Sequence, residues 1–296
     1  MRVKARGKIN WTLDIDGVRE DGYHLIDTLM QSVELYDTLK FERADGCVLH
    51  VEGPMRVTAD ENNLVMRAMR LLISRLGVNA GCHITLTKRI PIGAGMGGGS
   101  ADAAAALAGL NRFWRLSLKD ADLHALALEL GADTPFCLTG GLQRATGIGE
   151  RLERLPISRP AYLVIIQPCW GISTPEAFQH YDDYSRTCPP QSHRPDNERA
   201  VKAAHAGSLA HMCASMGNVL QPAAIHQRPE IAQAIQALEH HGAMRAQMTG
   251  SGSAVFGVFA SAWAAQYAWE RVSPIWRRCW TTRTASRGLV FREWLT

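Results

Sequence analysis

What this chain lacks narrows it first. Its seven cysteines (Cys47, Cys82, Cys137, Cys169, Cys188, Cys213 and Cys279) are odd in number, scattered, and form no CxxC pair. That pattern argues against a disulfide framework or a zinc ribbon and for a reducing compartment, so a cytoplasmic location is expected. None of the eleven histidines stands in an HExxH motif, and a metal-ligand cluster is not expected. The first residues, MRVKAR, carry no apolar core of a signal peptide. One uncharged run, 246–269, is long enough to raise the question of a membrane span. It contains Gln247, Thr249, Gly250, Ser251, Gly252, Ser253 and Gln266, and therefore reads as a loop, a strand and a helix. Charge of one sign is also scarce. The 32 Lys+Arg against 28 Asp+Glu leave +4, too small an excess to argue for nucleic acid or an anionic membrane.

What is present is a chain of 296 residues, 46% hydrophobic and 20% charged, enough to bury one large core or two ordinary ones. From Val3 to Ile15 apolar and polar residues alternate without a break, which predicts a strand with one buried face and projects Lys8 and Asn10 from the polar side. Turns at Asp16-Gly17 and Asp21-Gly22 follow, then a weaker strand pattern over 29–41. The 60–76 segment reads as a helix stopped by Gly77, and 82–88 as a strand. A glycine loop then leads into an alanine-rich helix over 101–111, with a second helix over 120–130. The stretch 186–199 reads as a long loop. Beyond it come helices near 197–206, 208–217 and 229–241, strands near 243–249 and 254–260, a helix near 261–271 and a strand near 278–284. Pro156 and Pro160 flank a short link, which divides the chain into 1–158 and 159–296.

Three segments carry chemistry. The first is Gly93-Ala94-Gly95-Met96-Gly97-Gly98-Gly99-Ser100, five glycines within seven residues just ahead of a helix. Without Cβ atoms the backbone N–H groups approach a ligand closely, and the helix aims its positive end at the same place, an arrangement that suits phosphate. Ser100 is placed to cap the helix or to hold a metal on the phosphates. Gly93, Gly95 and Gly98 also match the dinucleotide fingerprint GxGxxG, but Pro91 interrupts the preceding strand. A Walker A loop would need Lys-Ser/Thr after its last glycine, so the cation must come from elsewhere, with Lys8, Lys88 and Arg89 as candidates. The second is Asp133, the only charged residue between Glu129 and Arg144. A carboxylate in such company needs a partner; it either caps a helix or turn, or pairs with a cation, of which Lys8 is the first candidate. The third is Met248-Thr249-Gly250-Ser251-Gly252-Ser253, a tight turn with many donors. The Trp- and Arg-rich stretch near the C-terminus, with Trp263, Trp269, Trp276, Trp280 and Trp294, reads as an amphipathic helix and edge strand over a core.

In order, these segments resemble the GHMP kinase superfamily. GKINWTLDIDGVREDGYH, KRIPIGAGMGGGSADAAAAL, LGADTPFCLTGG and MTGSGSAVFGVF are similar, within it, to the 4-diphosphocytidyl-2-C-methyl-D-erythritol kinase family, over roughly residues 1–285. DGYH and GADTPF are the parts that separate this family from homoserine and mevalonate kinases. The resemblance implies an α+β fold of two lobes, a ribosomal-S5-domain-2-like N-terminal lobe and a ferredoxin-like C-terminal lobe, with the active site in the cleft. It implies ATP and Mg²⁺, and a small-molecule substrate in the non-mevalonate route to isoprenoids, phosphorylated at its 2-hydroxyl. Nucleic acid and membrane are not expected as partners, and a monomer or weak homodimer is.

Carried over residue by residue, Asp133 would be the general base and Lys8 would orient it and stabilise the phosphoryl charge. Gly93 to Ser100 would cradle the ATP phosphates, Ser100 holding Mg²⁺ through them, and Asn63, Leu64 and Lys88 would surround the adenosine. Tyr23 and Phe178 would stack on the cytosine, whose edge the His24 backbone would read. Asn10, Thr174, Gly250, Ser251 and Gly252 would line the rest of the substrate pocket. Gly7, Trp11 and Ser253 depart from the usual alanine, leucine and proline, and none removes a chemical group. Another GHMP-type kinase, or a non-catalytic ATP-binding module, are the alternatives.

Overall fold

A computed structural model describes residues 1–157, 159–188 and 194–292. The alternating N-terminal segment forms β1 (Arg2–Val18), which turns back as β2 (His24–Glu42). There follow β3 (Cys47–Glu52), α1 (Leu64–Leu76), β4 (Cys82–Thr87), α2 (Gly98–Phe113), α3 (Asp120–Leu130), α4 (Thr134–Thr139), β5 (Leu142–Gly147) and β6 (Arg151–Leu155). The second half holds β7 (Tyr162–Ile166), α5 (Thr174–Thr187), α6 (Asn197–Ala206), α7 (Leu209–Ser215), β8 (Gly217–Asn218), α8 (Gln221–Gln227) and α9 (Glu230–His240). It ends with β9 (Arg245–Met248), β10 (Val255–Phe259), α10 (Ala262–Val272), β11 (Cys279–Arg283) and β12 (Leu289–Arg292).

The strands make two sheets. In the first the order is β12-β1-β2-β4-β3, and β2 is long enough to serve two partners on one edge. Its residues 38–42 pair with β4 and its residues 26–31 with β5, which in turn pairs with β6. The second sheet runs β11-β7-β10-β9, antiparallel throughout, with helices crossing between β7 and β9 and again between β10 and β11. That is the strand order of a ferredoxin-like lobe, as the resemblance implies. The two are laced together: β8 extends the first sheet beside β1, and β12 returns to its edge.

Helix α2 packs on the first sheet at close range because its buried face is alanine, with residues 101 and 103–106 fully buried. Gly109 completes the fit, since a Cβ there would lie 2.3 Å from the Phe41 ring. Truncating a buried ring such as Phe41 costs about 3–5 kcal/mol, so this contact is a main anchor of the layer.

The structure corrects several expectations. β1 is buried on both faces from Gly7 to Ile15, Lys8, Asn10, Thr12 and Asp14 being no more than 9% exposed. The second lobe covers the polar side there: Gln247 Nε2 donates to the carbonyls of Asn10 and Trp11, 3.0 Å each, and Thr249 Oγ1 accepts from the Asn10 amide. The first-read helix begins at Leu64 rather than residue 60, because Asn63 accepts from the Val65 amide as its N-cap. The expected long loop at 186–199 is cut at both ends, by α5 through Thr187 and by α6 from Asn197; residues 189–193 lie outside the described part. Helix α5 escaped notice because its sequence is mostly polar and buries only Ala177 and Tyr181. The uncharged run divides into β9, a turn, β10 and α10, and no helix among the described residues is long and apolar enough to cross a membrane. Helix α10 and β11 cover the second core as an amphipathic helix and an edge strand, while Trp294 lies outside the described residues.

Candidate active site

The glycine loop sits where the two lobes meet. Gly95 and Gly97 have φ of +70° and +65°, the left-handed region that side-chain-bearing residues avoid. Space demands glycine as well. A Cβ on Gly95 would lie 2.1 Å from the Thr249 carbonyl oxygen, and one on Gly97 would lie 3.2 Å from Lys8 Cγ. The 249–253 turn thus packs directly on the loop, with Ser253 and Ala254 donating to the carbonyls of Gly93 and Ala94 at 3.3 Å each. Gly97 itself is the N-cap of α2, so Ser100 stands at the third helical position and does not cap. The open amides of that helix end face a cavity of about 1060 Å³.

Lys8 and Asp133 meet in this cavity from separate elements. Lys8 Nζ lies 3.6 Å from Asp133 Oδ2 and 2.7 Å from Asn10 Oδ1. Of the alternatives open for Asp133, the pairing with Lys8 is the one formed, at ion-pair distance. Asp133 occupies the N-cap position of α4, yet its side chain makes no capping bond and turns to the lysine instead. Lys8 is buried while the Asp133 side chain is 34% exposed, so the carboxylate remains open to a ligand. Asn10 is occupied at both ends of its amide: Oδ1 accepts from Lys8 and Thr249, and Nδ2 donates to Thr28 Oγ1 at 2.8 Å. Its side chain therefore holds Lys8 in place.

Lys88 stands in a different environment. Its Nζ, 3% exposed as a residue, lies 2.5 Å from Asp37 Oδ2 and 2.8 Å from Asp102 Oδ2. Asp37 also accepts from the Arg89 and Ile90 amides with its other oxygen. Burial pushes the Asp102 carboxyl above its ordinary range against the pull of Lys88, and its Oδ1 is buried without a partner. Burial alone would depress the Lys88 ammonium, but the two carboxylates outweigh it and hold it protonated. As a free cation for phosphate, Lys88 is committed elsewhere; Arg89 is exposed.

Of the residues expected at the site, Lys8, Asn10, Tyr23, His24, Asn63, Leu64, Lys88, Gly93 to Ser100, Asp133, Thr174, Phe178, Gly250 and Ser251 all line the cavity. Gly252 does not; it packs against the Met248 side chain. Asn63 spends its side chain on capping α1 and on the Thr58 carbonyl. At the other end His24 stacks on Phe178, ring centroids 4.7 Å apart and 24° from parallel, while Tyr23 is 59% exposed beside them. Thr174 Oγ1 and Ser251 Oγ, both from the second lobe, lie 3.4 Å apart.

The donor set bears on a metal. No group of three or more His, Cys, Asp or Glu that could hold an ion is found among the described residues. Ser100 and Asp133 with a glycine cradle fit instead a Mg²⁺ that keeps its waters and is carried by nucleotide phosphates.

Family comparisons agree with this geometry. The model for the GHMP kinases N terminal domain matches residues 63–141, and that for the GHMP kinases C terminal matches 200–274. A protein of Pelotomaculum thermopropionicum named 4-diphosphocytidyl-2-C-methyl-D-erythritol kinase is 44% identical over 258 residues, 86% of this chain and 88% of its own. The chain belongs to the 4-diphosphocytidyl-2-C-methyl-D-erythritol kinase family. A crystal structure of 4-(cytidine 5'-diphospho)-2C-methyl-D-erythritol kinase, 32% identical, superposes with a TM-score of 0.80 over 96% of this chain and 99% of that one. Homoserine kinase from Cytophaga hutchinsonii, 19% identical with a TM-score of 0.76 over 98% and 96%, shares the fold. Membership makes this chain an ATP-dependent small-molecule kinase.

Residues that support this family's site here were missed in the sequence. Thr28 and Thr249 hold Asn10, and Asp37 and Asp102 hold Lys88. A signal existed for Asp102, the one charged residue in SADAAAAL, by the same reasoning that singled out Asp133. Thr249 stands in the Gly/Ser turn already singled out, though its contact with Asn10 depends on the meeting of the lobes, while Thr28 carried no signal, since a threonine within a strand does not mark the residue it faces.

Proposed function

We propose that this chain transfers the terminal phosphoryl group of ATP to the 2-hydroxyl of 4-diphosphocytidyl-2-C-methyl-D-erythritol. The products are the 2-phosphate and ADP, on the non-mevalonate (methylerythritol phosphate) route to isoprenoids in the cytoplasm. The observation that carries the reading is the Lys8–Asp133 pair, 3.6 Å apart, at the edge of a glycine cradle inside one cavity. Asp133 takes the hydroxyl proton as the substrate oxygen attacks the γ-phosphorus, and the bond to ADP breaks on the opposite side. Lys8, aimed by Asn10, keeps the carboxylate in place and stabilises charge on the phosphoryl oxygens. The amides of 93–100 hold the phosphates, with the adenosine beside Asn63, Leu64 and Lys88. Mg²⁺, held by Ser100 and the phosphates, supplies charge neutralisation when bound.

The cytosine lies among Tyr23, His24 and Phe178, with Thr174, Gly250 and Ser251 closing the pocket. The partners are small molecules, and the working unit is a monomer or weak homodimer. ADP release with Mg·ATP tests the reading against three alcohols: the cytidine-linked substrate, homoserine and mevalonate. Turnover with the first alone is expected; turnover with either of the others and not the first would overturn it.

A further inference from the structure

One residue at the aromatic end of the cavity has no part in the scheme above. His24 opens β2 in the first sheet, directly after the turn that exposes Tyr23. Phe178 and Asp182 stand four residues apart on α5, on one face of a helix that belongs to the second lobe. Both grip the same imidazole. Phe178 covers its face, and Asp182 Oδ1 lies 2.8 Å from Nε2, with Tyr181 edge-on at 6.3 Å between centroids. A carboxylate accepts, so Nε2 carries the hydrogen and donates it, which fixes the ring's tautomer and its plane together. The His24 side chain is 10% exposed and that of Asp182 42%, so the imidazole is held inside and the carboxylate reaches it from the rim of the cavity. Tyr23 and Phe178 come from different lobes, and His24, the chain neighbour of the first and stacked on the second, links them.

We propose that Asp182 is a positioning residue for base recognition: by holding His24 against Phe178 it fixes the width of the aromatic slot that takes the cytosine. The proposal rests on the reading that the substrate carries a cytidine diphosphate. Asp182 acts through His24 and leaves Lys8 and Asp133 untouched, because those sit on β1 and at the start of α4. Loosening the slot weakens binding of the base and leaves the chemical step alone, which separates KM from kcat.

Asp182→Ala, Asp182→Glu, His24→Ala and the Asp182→Ala/His24→Ala double variant test it, by steady-state kinetics and by calorimetric titration with CDP. For Asp182→Ala, KM for the cytidine substrate and Kd for CDP are expected to rise about tenfold, with kcat and the KM for ATP within about twofold. Asp182→Glu should recover part of the loss, and the double variant should be no weaker than His24→Ala alone. Unchanged CDP affinity, a loss of kcat together with ATP affinity, or additive losses in the double variant would overturn the proposal. Should the wild type bind CDP but phosphorylate another alcohol, the substrate reading falls while the CDP titration still judges Asp182. A wild type that binds no CDP overturns both.

Discussion

Lys8 lies against Gly97 and Lys88 against Gly98, one residue apart on the same loop, and each faces carboxylates. Their surroundings separate them. Lys8 has one carboxylate at 3.6 Å, and that carboxylate is 34% exposed to the cavity. Lys88 is closed between two, and Asp37 and Asp102 have side chains 0% and 5% exposed. The first pair is loose enough to exchange its partner for a substrate hydroxyl or a phosphoryl oxygen. The second ties β2, the end of β4 and helix α2 into one unit beneath the loop. On the proposed mechanism the same two residue types serve chemistry in one place and scaffolding in the other, and openness of the carboxylate separates the two.

That contrast can be broken from either side. Lys8→Ala is expected to lower kcat about 1,000-fold, the scale seen when a preorganised charge donor is lost, with thermal stability close to that of the wild type. Stopped-turnover assays beside a calorimetric melt would check both halves. Lys88→Met should do the reverse in kind. It leaves Asp37 and Asp102 buried together without their cation, so unfolding free energy should fall by about 3–5 kcal/mol in urea titrations.

Gly97→Ala lies between the two. The left-handed conformation costs an alanine about 1–2 kcal/mol, and its Cβ would press on Lys8 Cγ. Activity is expected to drop about tenfold and the melting temperature by a few degrees.

The smallest effect sharpens the account of the closed cluster. Burial raises the folded-state pKa of Asp102 above the 3.8 of an ordinary carboxyl. The folded protein then holds this proton more tightly than the unfolded chain, so the contribution of Asp102 to stability falls as pH rises above 3.8. Asp102→Asn cannot titrate. Denaturant melts of both proteins from about pH 4 to about pH 7 should show the wild type losing ground to the variant as pH rises.

Much of this was legible before the fold. Unbroken alternation marked β1, and the glycines with their alanine-rich sequel marked the loop between the lobes and α2. Asp133 stood out because a lone carboxylate in an apolar stretch demands a partner, and Lys8 was the right one. What the sequence does not show are the contacts made by distant packing. Asn10, which the resemblance puts in the substrate pocket, lines the cavity, but the turn after β9 and strand β2 bring Thr249 and Thr28 to it, and its amide oxygen faces Lys8. Lys88, which the resemblance puts beside the adenosine, lines the cavity, but its burial between two carboxylates depends on β2 and α2 lying side by side. Helix α5 was unreadable for a plainer reason. Only two of its residues are buried, so its periodicity is faint in a polar sequence.

The central claim is that the open carboxylate, and not the closed ones, handles the proton. The most direct measurement compares Asp133→Asn with Asp102→Asn for kcat with the cytidine-linked substrate and for ATP affinity by titration. Asp133→Asn is expected to lose about 100- to 10,000-fold in kcat with ATP affinity retained, while Asp102→Asn stays within about tenfold of the wild type. Full turnover by Asp133→Asn, or an equal loss in both variants, would contradict it.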